Sequence, residues 1–465
     1  MVVAWLPLAL LAASAPAHES EVQRHHRKGV HCMDVIERTD CAIEQFEAVL
    51  DQDTRERELV TDAMVRLLRI YRKAGNTEGL SNVLRRYWDV GTARQSRGHL
   101  PYGMRFFSPE LDVMFVADIA KIRNAPILKR VGAQTAEFIF TCDEQTRTDI
   151  GMTERWRRAE RIASTRGVPT HQVYYEAMDA RRARREKAQA RQRERDASRR
   201  GKAKAAKADK SKKKDDEEST APIFSEMQCE LAERLGQDSL ITWKRMSGAA
   251  SHQNYRRSML LAEIPGVRPL IDKAVRDGGL RAVEDDHWVL TDTEFAGQAV
   301  HVVRVDLDQL LVAREDMLAP VLAAARKQKR RMNKELERLA QQVPRDSAMI
   351  FAMTQAAVVG TGFGGMREGA STMLQALLPK PKGLQVSVST AEVAGVFTRV
   401  PTNNAVKGRM LVNLVQTVLE GQAQEDPEAA QWLENLDIAE AGDRRALLAA
   451  YLMDSEQMAK MLWDG

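Results

Sequence analysis

The sequence predicts an α+β protein: N-terminal helical hairpins, followed by two antiparallel sheet-plus-helix units that a long charged helical or disordered insertion interrupts. Three observations carry this prediction. From Asp40 onward apolar residues recur at helical spacing, and from Ser239 onward short β-rich runs predominate. Two successive parts of the chain then show the order strand, helix, strand, strand, helix. This order is typical of antiparallel sheets with helices packed on one face.

The first seventeen residues predict a secretory signal peptide. Val2 to Ala13 is an uncharged apolar run interrupted only by Pro7, and Ser14 to Ala17 supplies the small residues of a cleavage site. No Lys or Arg precedes the run, so a buried or membrane-anchoring helix is the alternative. Cleavage near Ala17 predicts an exported protein, periplasmic or extracellular, which disfavours cytosolic nucleotides and genomic DNA as partners.

Two segments follow the leader. Residues 18–31 are polar and are expected to be flexible, whereas 32–97 are expected to form a helical domain. In that domain Gly75-Asn76-Thr77 ends the second of three helices and caps the third. Antiparallel helices of this length are similar to tetratricopeptide hairpins, but no 34-residue repeat occurs. A small helical cap is therefore an equal alternative.

Four cysteines in an exported chain predict two disulfides, for which three connectivities are possible. Pairing Cys32 with Cys41 closes a short loop at the start of the helical region. Cys142 with Cys229 is then the remaining pair, and it would clamp both ends of the charged insertion. Four reduced, buried thiols are the alternative if the chain stays in the cytosol.

The α+β units take up the rest of the chain. We expect the first unit to begin at 98–153, to be interrupted by the charged insertion at 154–220, and to resume at 221–342; the second spans 343–465. In the first unit, strands are expected at 239–246 and over 280–290, and one long helix over 315–342. In the second unit, a helix is expected at 366–378, and a last helix begins at Asp454, whose spacing to Gln457 is that of a capping box. The runs LDVMFVADIAKI (111–122) and DSAMIFAMTQAA (346–357) read as equivalent starts of the two units. This equivalence indicates a duplication, without sequence identity to support it.

The chain as a whole resembles uncharacterised exported proteins of Gram-negative bacteria. The features that carry the resemblance are the helical N-terminus, the connector GHLPYGMRFFSPELD (98–112), and the phrase Val343-Pro344-Arg345-Asp346 at the start of the second unit. The resemblance implies an exported protein of this architecture and implies no activity.

Basic charge is concentrated in one segment. Residues 181–214 contain 17 Lys and Arg against four acids, a local net charge of +13 in a chain whose total is +5, so the remainder carries −8. Such a run could bind a polyanion or anionic lipid, although a solvated helix and linker is the more common outcome. The candidate residues are Arg181, Arg182, Arg184, Arg185, Arg199, Arg200, Lys212, Lys213 and Lys214.

No catalytic, cofactor or metal site is predicted. The run Gly360-Thr361-Gly362-Phe363-Gly364-Gly365 fits a dinucleotide fingerprint, but the strands after it form an apparent hairpin, which favours a flexible loop. His18, His25, His26 and His31 match no defined metal spacing, so a polar tail is preferred to a weak copper or zinc site. The only S-x-x-K, at Ser211, lies in the charged linker.

These observations favour a non-enzymatic protein that binds another envelope or exported protein, or that has a structural role in the envelope. The alternative is a protein that binds polyanions or an anionic envelope surface through residues 181–214, and a further alternative is an enzyme whose site is not recognised. No specific nucleic acid partner is expected. The sequence does not determine the oligomeric state.

Overall fold

A computed structural model describes most of the chain in eleven stretches and four single positions. These are 19–52, 56–93, 101–183, 223–253, 257–295, 298–326, 332–344, 347–360, 381–390, 393–425 and 433–464, with positions 186, 190, 193 and 430. The leader, the glycine run after Gly360, the helix expected at 366–378 and most of the basic segment lie outside these residues. The chain divides into two compact units, Met1–Tyr87 and Trp88–Gly465, called unit 1 and unit 2 below.

Unit 1 is helical, as the sequence predicts. Its helices are α1 (Glu21–Asp34), α2 (Thr39–Asp51), α3 (Arg57–Lys73) and α4 (Thr77–Ala93), the last of which continues into unit 2. The flexible segment expected at 18–31 is instead mostly α1. Two local causes explain this correction: Ser20 and Gln23 form a reciprocal capping box at the N-terminus of α1, and Val22 and Cys32 are buried on its inner side.

Gly29 and the first disulfide bring α1 and α2 together. A Cβ atom at Gly29 would lie 2.6 Å from the Phe46 ring, so only glycine allows this close approach. Cys32 is bonded to Cys41, with 5.8 Å between their Cα atoms, so the disulfide joins the end of α1 to the start of α2. This is the pairing that the sequence favours.

A buried ionic cluster lies inside unit 1. One Asp62 carboxylate oxygen contacts Nε2 of His26 at 2.6 Å and accepts a hydrogen bond from Nε of Arg66 at 2.7 Å. Arg66 also reaches Asp34 at 3.6 Å. Burial alone would raise the pKa of Asp62, but the hydrogen bonds and charges of His26 and Arg66 outweigh it and hold that pKa below its usual value.

The described residues of unit 2 form one antiparallel sheet of twelve strands. The strands are β1 (Val113–Ala117), β2 (Arg245–Ala250), β3 (Ser258–Glu263), β4 (Leu280–Glu284), β5 (His287–Phe295), β6 (Gln298–Asp306), β7 (Gln309–Arg314), β8 (Met349–Thr354), β9 (Gly383–Thr390), β10 (Ala394–Pro401), β11 (Leu436–Glu440) and β12 (Ala446–Met453). Their order across the sheet is β11-β12-β10-β9-β8-β1-β2-β3-β7-β6-β5-β4. The α+β class is confirmed, and the strands of the two expected units form a single continuous sheet.

The helices of unit 2 lie in the chain segments between its strands and after the last strand. They are α5 (Ile119–Asn124), α6 (Pro126–Val131), α7 (Thr135–Phe140), α8 (Glu144–Arg166), α9 (170–183), α10 (Ile223–Arg234), α11 (Val267–Arg276), α12 (Glu315–Arg326), α13 (Lys334–Gln341), α14 (Gln355–Gly360), α15 (Ala405–Glu425) and α16 (Ser455–Ala459), followed by a π-helical turn, Lys460–Asp464. The main apolar core includes the buried side chains of Trp243, Trp288 and Trp463.

The two halves of the sheet meet at β1 and β8 with a symmetric register. Phe115 lies opposite Phe351, and the pairing extends equally to both sides of these two residues. Outward from this centre the strand orders β1-β2-β3-β7-β6 and β8-β9-β10-β12-β11 correspond, and the hairpin β4–β5 is an addition to the first half. The two halves therefore share one topology, in agreement with the equivalence indicated by the sequence.

Three boundaries differ from the sequence expectations. The strand expected over 280–290 is a hairpin, because Asp286 adopts a positive φ of 59° and reverses the chain. The helix expected over 315–342 is two helices, since Asn333 caps the N-terminus of α13 through its side chain. The start of the strand expected at 239–246 is a 3₁₀ turn over Leu240–Thr242, and β2 begins only at Arg245.

Candidate anion-binding cleft

Helices α8 and α9 form an antiparallel pair that builds two walls of a cleft. The Asp143 side chain caps α8 by accepting a hydrogen bond from the Thr146 amide at 2.6 Å. Gly167 ends α8 with a φ of 67°, a conformation that glycine adopts without strain. The seam between the two helices is apolar, with Ala159, Ala163 and Val173 buried in it.

The C-terminus of the chain provides the third wall. Asp454 and Gln457 form a reciprocal capping box at α16, as the sequence spacing predicts. The following π-helical turn carries Trp463, whose side chain is 1% exposed and packs edge-on against Phe138 with 4.8 Å between ring centroids. The capping box therefore fixes the direction in which the turn approaches α8.

These elements line a small cleft, partly open to solvent, with an internal volume of about 30 Å³. Its polar lining consists of three arginines, and its apolar lining comes from both helices and from the C-terminal turn. The full set is Arg155, Arg158, Arg181, Ala159, Ile162, Val173, Tyr174, Ala177, Met178 and Trp463. None of these residues is acidic, so the lining carries a net positive charge.

Arg158 is held in place by the C-terminal helix. Its two terminal nitrogens donate to the carboxylate of Glu456 at 2.7 and 3.3 Å. The Arg158 side chain is only 9% exposed, whereas that of Glu456 is 77% exposed. The hydrogen bond from Arg158 lowers the pKa of Glu456, so this carboxylate stays ionised at neutral pH and partly neutralises Arg158.

Trp463, which lines the cleft, carries an unsatisfied hydrogen-bond donor. Its Nε1–H is buried and has no hydrogen-bond partner among the described residues. An indole N–H can only donate, and leaving such a group buried and unsatisfied costs about 1–3 kcal/mol. A ligand with an acceptor oxygen would satisfy this donor, and an anionic oxygen would also suit the three guanidinium groups.

The second disulfide anchors this helix pair. Cys142, directly before the cap of α8, is bonded to Cys229 in α10, with 5.3 Å between their Cα atoms. The Cys142 amide also donates to the carbonyl of Asp238 at 2.9 Å. As the sequence predicts, the pair joins the two sides of the charged insertion, so α8 begins from a fixed point.

The cleft includes one of the basic residues singled out in the sequence. Arg181 lines it, whereas the neighbouring Arg182 is 80% exposed and reaches Glu186 at 3.5 Å. Arg184, Arg185, Arg199, Arg200, Lys212, Lys213 and Lys214 lie outside the described residues. Sequence reasoning missed Arg155 and Arg158, although both lie on one predicted helix, and it also missed Trp463. No local pattern connects the C-terminal Trp463 with α8.

The N-terminal histidines do not gather into a metal centre. His25 contacts Gln45 at 2.9 Å, and His26 contacts Asp62 in the buried cluster of unit 1. Within the ranges that the structure describes, no three His, Cys, Asp or Glu side chains are placed to hold a metal ion. The same ranges contain no helix that is both long and apolar enough to cross a membrane.

Comparison with known proteins gives no family assignment. No family model matches the chain, and no curated protein matches its sequence. A solved structure described as crystal form I of TP0453 aligns with 79% of this chain and 100% of its own, at 10% identity and a TM-score of 0.32. A similarity at that score does not establish a common fold.

Proposed function

We propose that this protein is exported and binds an anionic ligand in the cleft between α8, α9 and the C-terminal turn. The ligand class is a phosphate or carboxylate group attached to an apolar portion. One observation carries the proposal: three arginines line an otherwise apolar cleft together with Trp463, whose buried indole N–H has no partner among the described residues. Binding of an anionic surface through residues 181–214 is the alternative function drawn from the sequence. Of that segment, the site proposed here includes only Arg181, its first residue.

Arginine suits this function better than lysine. The planar guanidinium donates two parallel hydrogen bonds to a carboxylate or phosphate, which fixes the orientation of the ligand. The apolar lining then excludes water, so that each charge-assisted bond is worth about 1.5–3 kcal/mol. Arg158 arrives already oriented by Glu456, while Arg155 and Arg181 complete the set from the two facing helices.

The test is a calorimetric titration with dihexanoylphosphatidylglycerol kept below its micelle concentration, a soluble anion with short apolar chains. Arg181→Gln should weaken binding roughly tenfold, which corresponds to about 1.4 kcal/mol. Arg182→Gln is the matched control, because it removes the same charge from the next position of the same helix, outside the cleft. Equal losses in both variants would show that the anion is attracted by net charge alone, and absence of binding to the unmodified protein would refute the proposal.

Export is supported by the predicted leader and by the two disulfides, which persist mainly in oxidising compartments. Intact mass after expression in a Gram-negative host tests it. We expect a chain that begins at His18 and lacks two hydrogens for each disulfide. A full-length, reduced chain would contradict export. Binding of another envelope protein by the helices of unit 1 stays a prediction.

A further inference from the structure

Four large apolar side chains are exposed on the helices that form the cleft. Met152 and Trp156 lie one turn apart on α8, each 44% exposed; Tyr175 and Met178 lie on α9, 63% and 37% exposed. These four residues are called the interfacial patch. Isolated exposed apolar residues are common, but a group of them beside a charged site marks an interaction surface.

The interfacial patch is continuous with the cleft. The ring centroids of Trp156 and Tyr174 are 5.3 Å apart, and those of Tyr174 and Tyr175 are 5.8 Å apart. Tyr174 and Met178 themselves line the cleft. The cleft and the interfacial patch therefore form one surface, so a bilayer lipid held by the arginines would lie beside side chains that enter the headgroup region.

The chemistry of the surface matches the headgroup region of a membrane. Trp and Tyr are enriched at membrane interfaces, because their rings are apolar while their N–H and O–H groups remain hydrated. Arginines placed beside such rings pair with lipid phosphates. The sequence from Arg181 to Lys214 has a net charge of +13, which attracts the whole chain to an anionic surface.

We propose, building on the anion-binding function above, that α8 and α9 dock on a bilayer containing anionic phospholipid. The rings and methionines of the interfacial patch enter the headgroup region, and the cleft arginines bind the phosphate of one lipid. The occupant is thus a lipid within a membrane rather than a free anion. Docking of this kind places the two helices in the headgroup region, at the surface of the bilayer.

Co-sedimentation with vesicles tests the docking. Vesicles of phosphatidylcholine alone are compared with vesicles that also contain phosphatidylglycerol. The variant Trp156→Ser with Tyr175→Ser should bind the anionic vesicles roughly tenfold more weakly, since it removes two interfacial side chains. The matched control is Leu307→Ser with Val406→Ser, which removes two apolar side chains that are 78% and 69% exposed and lie outside the patch.

A second readout localises the contact. With lipids brominated along their acyl chains, tryptophan fluorescence of the bound protein should be quenched, and Trp156→Phe should remove most of that quenching. Circular dichroism of each variant establishes that it is folded. Quenching that is unchanged in Trp156→Phe would place the contact on another surface and overturn the inference.

The outcomes separate this inference from the function on which it rests. If the patch variant binds anionic vesicles as well as the unmodified protein does, or if phosphatidylcholine vesicles bind equally well, surface docking as proposed is wrong. Soluble dihexanoylphosphatidylglycerol should bind the patch variant normally. If that monomer does not bind even the unmodified protein, the anion-binding function itself fails. Retained monomer binding together with lost vesicle binding supports both proposals.

Discussion

Removing the second disulfide should destabilise unit 2 strongly while leaving its native geometry in place. The perturbation is Cys142→Ala with Cys229→Ala. The segment before α8 is held independently, since the Thr141 hydroxyl and the Cys142 amide both bind the carbonyl of Asp238, at 3.2 and 2.9 Å. The variant should therefore fold as before, and the loss should come chiefly from the unfolded chain, which gains freedom when the crosslink is absent.

The magnitude follows from the length of chain that each disulfide closes. Cys142 and Cys229 are 87 positions apart, for which loop-closure entropy predicts about 4.5 kcal/mol at 25 °C. Cys32 and Cys41 are only 9 positions apart, and the same relation gives about 2.5 kcal/mol. Loss of the long-range disulfide should thus lower the free energy of unfolding by about 2 kcal/mol more than loss of the short-range one.

Urea unfolding followed by tryptophan fluorescence measures mainly the effect on unit 2, because five of the six tryptophans after the predicted leader follow α4 in the chain and belong to that unit. Hydrogen exchange of α1 to α3 measures unit 1. The control, Cys32→Ala with Cys41→Ala, should leave the main fluorescence transition unchanged. A loss in unit 2 below about 1 kcal/mol, or one no larger than the loss in unit 1, would refute the reasoning from chain entropy.

Three further predictions concern single side chains. Glu456→Gln should tighten binding of dihexanoylphosphatidylglycerol several-fold in calorimetry, because it removes the carboxylate that partly neutralises Arg158. Lowering the pH below about 4 should destabilise unit 1 in hydrogen exchange: the depressed pKa of Asp62 means that the unfolded state binds the proton first. Asp454→Ala should lower the fluorescence-detected stability by about 1 kcal/mol through loss of the capping box with Gln457.

Each of these predictions has a contrary outcome. Weaker binding by Glu456→Gln would mean that Glu456 helps binding by positioning Arg158 more than it hinders binding by neutralising the charge of Arg158. If Asp62→Asn shows the same acid sensitivity as the unmodified chain, other carboxylates govern the acid response of unit 1. Asp454→Asn should keep most of the stability, since asparagine also caps helices; a loss equal to that of Asp454→Ala would argue against capping.

The sequence predicted much of the local structure correctly. Apolar periodicity predicted α2, α3 and α4 and the strands β1 and β8, and the spacing of Asp454 and Gln457 predicted the cap of α16, because each of these signals lies within a few residues of the chain. Local signals were also present where the prediction failed. Ser20 and Gln23 have the spacing of a capping box, and Asp285-Asp286 is a turn signal inside an otherwise strand-like run.

The sequence by itself determined the α+β class and the concentration of positive charge after Arg181, and it favoured the observed cysteine pairing among three possible ones. Only the tertiary structure decided that the two sheet units join through the pair Phe115 and Phe351, and that Arg158 and Trp463 face one cleft. The reason is physical. Short-range propensities act within an element, whereas strand partners and cleft walls are chosen by burial among residues hundreds of positions apart, which no local pattern encodes.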